Sequence, residues 1–464
     1  MLTPAAQRGP RPLCYNSDPM GEPLIVPRAE HVLSRKLVDP EALKVLYRLS
    51  QASYTAYLVG GSVRDLLLGR KPKDFDIGTS AHPYEVKKLF RNCWIIGRRF
   101  RLAHVRFGDK TVEVATFRRQ VSAEEAAAAD APLQTLAPPD SDVAVPELDD
   151  ARDRLIHRDN TFGTPEQDAF RRDFTINALF YDIASFSIID YTGGLEDLRA
   201  RVVRCIGVPE ERFQEDPVRM LRAVAMAARL NFTIDPPIEA AIAEHRGDIA
   251  RSAPARLIEE FYKLLRSGAA ERAFRMMADH KLLEPISEEL QTHAGEALWR
   301  SLAALDAYRN RFESAPDTLT NSILLGSLLM PIGPAAKAVT NPPRWTEDMK
   351  KEPRISLGLL PLARRDIERL RQILGLQRRL LDAKMAPRAR RALTHKGTFR
   401  EALTWLEVHG QAPEAVFEWQ AFVSTSTGAP AEGEAGAEGE RDDRPRRRRR
   451  RRGRRRPPPS SPPQ

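Results

Sequence analysis

The chain has 464 residues, 42% hydrophobic and 29% charged, enough for about two to four domains with real cores. No apolar run nears the roughly 20 residues that a membrane span needs. Three cysteines, Cys14, Cys93 and Cys205, are too few and too scattered for a disulfide framework or a thiolate metal site. The formal charge is +10, yet eleven arginines between Arg444 and Arg456 outweigh it, and without them the balance is −1. A near-neutral body therefore carries one strongly basic end, which seeks a polyanion such as nucleic acid or an anionic membrane surface. The first 30 residues show no basic segment followed by an apolar stretch, so no secretory signal is read and a reducing, cytoplasmic setting is expected.

In chain order, residues 1–30 are rich in Pro and Gly and read as a disordered leader. Leu43, Leu46 and Leu49 space a helix over 40–50. YLVGG at 57–61 predicts a strand running into a glycine turn, and SVRDLLLG at 62–69 a short helix stopped by Gly69. KDFDIG at 73–78 alternates like a strand, HPYEVKKLF at 82–90 is helical, and WIIG, LAHVRFG and TVEVATF predict three more strands. The acidic, Ala- and Pro-rich stretch 121–150 reads as a flexible inserted loop, with order resuming near Leu155 and continuing through RRDFTINALFYD. Helical periodicity dominates from about 215 to 423. Within it, SILLGSLLMPIGPAA at 322–336 is broken by Pro331 and Pro334 and reads as a buried helix followed by a turn. Most of the tryptophans here (Trp299, Trp345, Trp405, Trp419) read as core. Residues 424–464 cannot bury a core and form an expected disordered, Arg-rich tail. The fold class is α+β: a small domain with a mixed, mainly antiparallel sheet and helices, then an all-α region and the tail. The expected divisions are 1–30, 31–185, 186–275, 276–423 and 424–464.

Asp74 and Asp76 are two apart, so a strand puts both on one face with Phe75 on the other. Paired carboxylates repel, and holding a hard divalent cation is the usual reason to keep them together. Just upstream, Gly60-Gly61-Ser62 lets backbone amides and a hydroxyl approach a phosphate closely. In TVEVATF, Glu113 shares a face with Thr111 and Ala115, either as a third carboxylate for the cation or as an edge residue facing water.

Together, GGSVRD followed by DFD, RRDFTINA at 171–178 and EDPVRMLRA at 215–223 resemble the ordered motifs of the class II nucleotidyltransferases, which include bacterial poly(A) polymerases and tRNA CCA-adding enzymes. The resemblance covers roughly 55–265. It implies a nucleotidyltransferase palm for 31–185, a helical neck binding nucleotide and RNA for 186–275, and an RNA-binding region for 276–423. It implies that Gly60, Gly61, Ser62 and Arg64 hold the triphosphate. Asp74 and Asp76 would bind two magnesium ions, and Arg172, Asp173 and Asn177 would contact sugar and phosphates. Glu113 matches the strand carboxylate that assists the metals, and Asp173 is its rival as third catalytic acid. The implied reaction is attack by an RNA 3′-hydroxyl on the α-phosphate of a nucleoside triphosphate, with pyrophosphate leaving.

In the family, a pair such as Asp216 and Arg219 reads the base edge. Asp216 stands at the expected N-cap of a helix over 216–230, with Pro217 at its first position. An Asp accepting from an exocyclic amine and an Arg donating to a ring nitrogen fit adenine and cytosine, not uracil or guanine. Relatives usually carry Arg-Phe where this chain has Ala225-Met226, and Arg222 is the expected replacement for the missing cation. IIGRRFRLAHV at 95–105 resembles the segment that marks the poly(A) polymerases, and Arg98, Arg99 and Arg101 are its candidate RNA contacts. The expected function is template-independent addition of AMP from ATP to RNA 3′ ends. CCA addition to tRNA and a catalytically dead RNA-binding protein are the alternatives. Scattered bases of the helical region, Arg256 among them, grip RNA by analogy. The tail, lacking aromatics among its arginines, would add phosphate attraction to RNA without base stacking, or contact protein.

Overall fold

The computed structural model describes residues 22–97, 101–119, 161–341 and 355–427. The loop expected at 121–150, Arg98, Arg99, Trp345, residues 155–160, the leader before 22 and the tail beyond 427 lie outside the described residues.

The first domain is organised by one eight-stranded sheet. Its strands are β1 (Leu24–Val26), β2 (Ala56–Val59), β3 (Ile77–Thr79), β4 (Cys93–Ile96), β5 (Leu102–Phe107), β6 (Lys110–Thr116), β9 (Leu179–Asp182) and β10 (Ser187–Asp190), in the order β1-β10-β9-β2-β3-β6-β5-β4. Short β7 (Arg118–Arg119) and β8 (Thr161–Phe162) pair separately. Only β3 and β6 run parallel within the large sheet, with Ile77 opposite Val114; the rest is antiparallel, as expected. The strand expected over 73–78 is shorter than its alternation suggests. It begins at Ile77, and Asp74 and Asp76 lie in the segment leading into it. The Val59 amide still donates to the Asp76 carbonyl at 3.0 Å, so pairing with β2 reaches Asp76.

Alternation gives the sheet two unlike faces. Leu58, Ile77, Ala103, Val105, Val112 and Val114 are buried on the side where α1 (Pro40–Gln51) and α3 (Pro83–Leu89) pack. Helix α1 follows its predicted bounds, with Asp39 capping the Glu41 amide at 2.9 Å and Pro40 in the first turn. On the other face, Val59, Phe117, Ala169, Ala178, Phe180, Ile189 and Ile206 form a second core at the β2–β9–β10 end. At the β6–β5–β4 end this face is open: Glu113 and Trp94 are exposed and His104 is half-buried.

Beyond the sheet the described residues are mainly helical, with a two-residue parallel pairing of Val202–Val203 with Thr233–Ile234. The helix Val218–Leu230 turns Leu221, Val224, Ala227 and Ala228 inward and packs on the helix Ala270–Asp279. The expected buried helix is present at Asn321–Leu329, with Ser322 through Leu329 all buried. Pro334 then starts the helix Gly333–Thr340. Trp299 and Trp405 are core. Cys93 and Cys205 are free and buried. No helix among the described residues is long and apolar enough to cross a membrane.

Candidate active site

The glycine turn and the acidic pair meet through the β2–β3 pairing. β2 ends at Val59, Gly60 adopts φ +72° and ψ −132°, and α2 (Gly61–Leu67) begins at once. Few side chains tolerate that backbone. A Cβ on Gly60 would stand 2.9 Å from an Arg172 Nη1, so the position also lacks room. The Gly60 amide is bound to the Leu179 carbonyl at 3.1 Å. Ser62 is buried, and its hydroxyl donates to the Val59 carbonyl at 2.9 Å, so it ties the turn to the strand.

Asp74 is 69% exposed beside Lys73 at 3.6 Å. Asp76 is also exposed. Extending the parallel register by one residue, from Ile77–Val114, sets Asp76 alongside Glu113 on the same face. Limited hydration beside the sheet, then the charges of Glu113 and Asp74, push the Asp76 carboxyl up to about 6, against a pull from Arg172. Three carboxylates thus share one field. Among the described residues no three His, Cys, Asp or Glu side chains close into a ready-made metal cage. An open set of hard oxygen donors suits magnesium, which keeps waters and takes one or two carboxylates together with substrate phosphates. Asp74, Asp76 and Glu113 are the residues that could hold it.

Glu113 and Asp173, the rivals for third acid, stand in different surroundings. Asp173 is engaged on both oxygens: Oδ2 accepts from Arg222 Nε at 2.8 Å and Nη2 at 2.5 Å, and Oδ1 from the Phe174 amide at 2.9 Å and Asn177 Nδ2 at 3.3 Å. Burial acts to raise its pKa, but Arg222 and these donors more than offset that, leaving it below the ordinary carboxylate range. Asp173 is a link between the head and the helix Val218–Leu230. Glu113 is the exposed carboxylate, with His104 Nε2 at 3.7 Å.

Arg172 donates Nη1 to the Asn177 carbonyl at 3.0 Å and lies over the Phe180 ring at 5.4 Å. Its Nη2 meets Asp168 at 2.8 Å, and that buried carboxylate also takes Arg171 Nε at 2.9 Å. Asp168 was not singled out from the sequence, although its spacing of four from Arg172 on a helical turn is a readable signal. Arg64 is 3% exposed. It donates to Asp65 at 2.7 Å, to Met226 Sδ at 3.2 Å and to the Asn177 side-chain oxygen.

The expected base-reading pair is not a mutual pair here. The helix starts at Val218, one residue later than expected, with Asp216 Oδ1 accepting from the Val218 amide at 3.2 Å. Asp216 is clasped by Arg256 through two bonds of 2.9 and 2.6 Å. Arg219 turns to Glu215 Oε2 and the Arg212 carbonyl, both at 2.9 Å. Arg222, bound to Asp173, is not free to replace the missing cation at Ala225. Arg101 is exposed, its guanidinium 5.8 Å over the Tyr84 ring.

A glycine turn at a strand–helix junction, an acid pair entering the neighbouring strand and a third acid on the parallel partner, on a mainly antiparallel sheet, define a nucleotidyltransferase head. Residues 56–204 match the family described as Poly A polymerase head domain. Residues 231–293 match the probable RNA and SrmB-binding site of polymerase A, and 356–456 the polymerase A arginine-rich C-terminus. The chain belongs to the poly(A) polymerase family. It is 48% identical over 262 residues to Poly(A) polymerase I of Salmonella typhi, covering 56% of this chain and 53% of that one. It is 36% identical over 248 residues to the CCA-adding enzyme of Lactobacillus helveticus, covering 53% and 55%. These matches span about half the length of each relative. The crystal structure of the Bacillus stearothermophilus CCA-adding enzyme in complex with CTP is similar with a TM-score of 0.51 and 25% identity, over 84% of this chain and 83% of that one.

Proposed function

We propose that the chain is a template-independent poly(A) polymerase that adds AMP from ATP to RNA 3′-hydroxyl ends and releases pyrophosphate. The observation that carries the reading is the Val59–Asp76 backbone bond, which sets the Gly60–Gly61 turn beside three converging carboxylates. The similarity to Poly(A) polymerase I supports AMP transfer over the CCA alternative.

In this reading the α2 start and the glycine turn offer backbone amides to the triphosphate. Arg172 sits between the turn and Asp76 and adds a fixed positive charge. Asp74, Asp76 and Glu113 hold two magnesium ions. When bound, that metal pair lowers the pKa of the attacking 3′-hydroxyl and stabilises charge on the leaving pyrophosphate. Asp74, Asp76 and Glu113 orient the reacting groups, and little covalent work is asked of the protein. Asp216, Arg256 and Arg219 line the start of the neck helix, where a base would be read; in the form described here, Arg256 holds the carboxylate that would accept the exocyclic amine. The arginine-rich end attracts RNA phosphate without sequence choice.

The test is extension of a labelled RNA with magnesium and each nucleoside triphosphate in turn. A long ladder with ATP alone is the expected result. Addition of only C, C and A to a truncated tRNA would replace the reading with tRNA repair. No transfer at all, with no magnesium–ATP binding, would leave an RNA-binding protein.

A further inference from the structure

The open half of the sheet's active face continues past Glu113 to the free edge. Glu113 lies opposite His104, and His104 opposite Trp94; with the β3–β6 register extended one residue before Ile77, Asp76 joins Glu113, His104 and Trp94 in one row across β6, β5, β4 and the segment leading into β3. Directly opposed residues share a face. Burial agrees, because Cys93, Ala103, Val105, Val112 and Val114, which point the other way, are all buried. Trp94 is 54% exposed, and Ile96, two residues on and on the same face, is 50% exposed. Among the described residues β4 is an edge strand, and a large apolar pair on it is a liability that needs a reason. Cations flank it: Arg106 follows His104 on the same face of β5 and is exposed, and Arg101 directly precedes that strand. At about 4.8 Å per strand, Trp94 stands about 14 Å from Asp76 along the row, a distance spanned by a few nucleotides of single strand.

We propose that Trp94, backed by Ile96, is a stacking platform for the single-stranded RNA primer, holding a base a few nucleotides upstream of the 3′ end while that end lies at Asp76 and Glu113. The inference rests on the poly(A) polymerase reading above. An indole face accepts any base, and adjacent arginines meet the phosphates, so the platform grips RNA without reading its sequence. Its continuity with the carboxylate row distinguishes it from a surface for a second protein, which needs no such alignment.

The test uses the full chain with Trp94→Ala and Trp94→Phe, a labelled oligoadenylate and a dinucleotide primer. The expected result is a Kd for the oligoadenylate weakened about tenfold in Trp94→Ala, largely restored in Trp94→Phe, with magnesium–ATP affinity held. The dinucleotide, too short to reach the platform, should be extended equally by all three proteins. Unchanged oligoadenylate binding in Trp94→Ala overturns the proposal. So does a change in sedimentation without a change in RNA binding, which would make the edge a contact between copies. Failure of the wild-type chain to extend either primer with ATP would reject the polymerase reading instead, and the binding comparison would still decide the platform.

Discussion

Replacing the two rival acids separately should split their effects cleanly. Asp173→Ala removes four accepted hydrogen bonds and leaves Arg222 and Asn177 without their partner. Breaking a buried pair in this way costs about 3–5 kcal/mol. Arg222 is 41% exposed, so water recovers part of the loss, and we expect about 2–3 kcal/mol. With an m-value of roughly 2–3 kcal/mol/M, the urea midpoint falls by about 1 M. The pKa of Asp173 is lowered in the fold, so its stabilisation is present at neutral pH and lost as pH falls through the acid range. The midpoint difference between wild type and Asp173→Ala should therefore shrink in acid. Glu113→Gln removes an exposed carboxylate and should shift stability by no more than about 0.5 kcal/mol. It should cut nucleotidyl transfer at least about a hundredfold, since charge at the metal site supplies several kcal/mol of transition-state stabilisation. Urea titration and primer extension on both variants measure all four quantities. An Asp173 variant with an unchanged midpoint and no transfer, beside a Glu113→Gln protein that still extends RNA, would refute the assignment and make Asp173 the third acid.

Gly60→Ala should lose roughly 1–3 kcal/mol from its backbone and weaken magnesium–ATP binding, because its Cβ meets Arg172 at 2.9 Å. Gly69→Ala, at φ +69° with open space around it, should lose stability alone; calorimetric ATP titration separates the two. The Asp76 carboxyl, held up at about 6, is ionised less readily in the fold than in the unfolded chain, so the metal-free protein should lose stability as pH rises from about 4 to 6. Magnesium affinity should run the other way, strengthening through pH 6 and weakening toward tenfold per unit below it, as read by titration at several pH values; a flat profile would contradict the shared field at Asp76. Removing Arg444 to Arg456 takes away eleven positive charges. This should flatten the salt dependence of RNA binding without changing the choice of nucleotide, as filter binding over a salt series would show.

The parts of the candidate site that are legible in the sequence are those set by short spacing. Gly60-Gly61, the Asp74–Asp76 pair and the strand carrying Glu113 each announce themselves within a few residues, and their elements form at nearly the expected bounds. Even here, spacing overstated β3: Asp74 alternates like a strand residue, yet the strand starts at Ile77. The pairs that decide each charge's job lie far apart in the chain. Arg256 reaches Asp216 across forty residues, Arg222 reaches Asp173 across forty-nine, and Arg64 reaches Asn177 across more than a hundred. No periodicity marks such partners, so the sequence shows Asp216 and Arg219 three apart and able to point together, but not that Arg256 and Glu215 hold them.

Those long-range pairs also join the site to the neck. Asp173 follows Arg172, which stands at the glycine turn, and Asp173 holds Arg222 on the helix Val218–Leu230. Asn177 bridges Asp173 and Arg64, and Arg64 touches Met226 on that same helix. The glycine turn and the helix Val218–Leu230 are therefore tied by one polar network, in which each of these side chains has a partner in another. Ala225 and Met226 supply no cation to it, and Met226 offers only a soft thioether beside a guanidinium that Asp65 already neutralises. In the proposed reading, selectivity for the base would then rest on Asp216, Arg219 and Arg256. In that reading, Arg256 on the helix Pro254–Leu265 and an exocyclic amine would compete for the same Asp216 carboxylate.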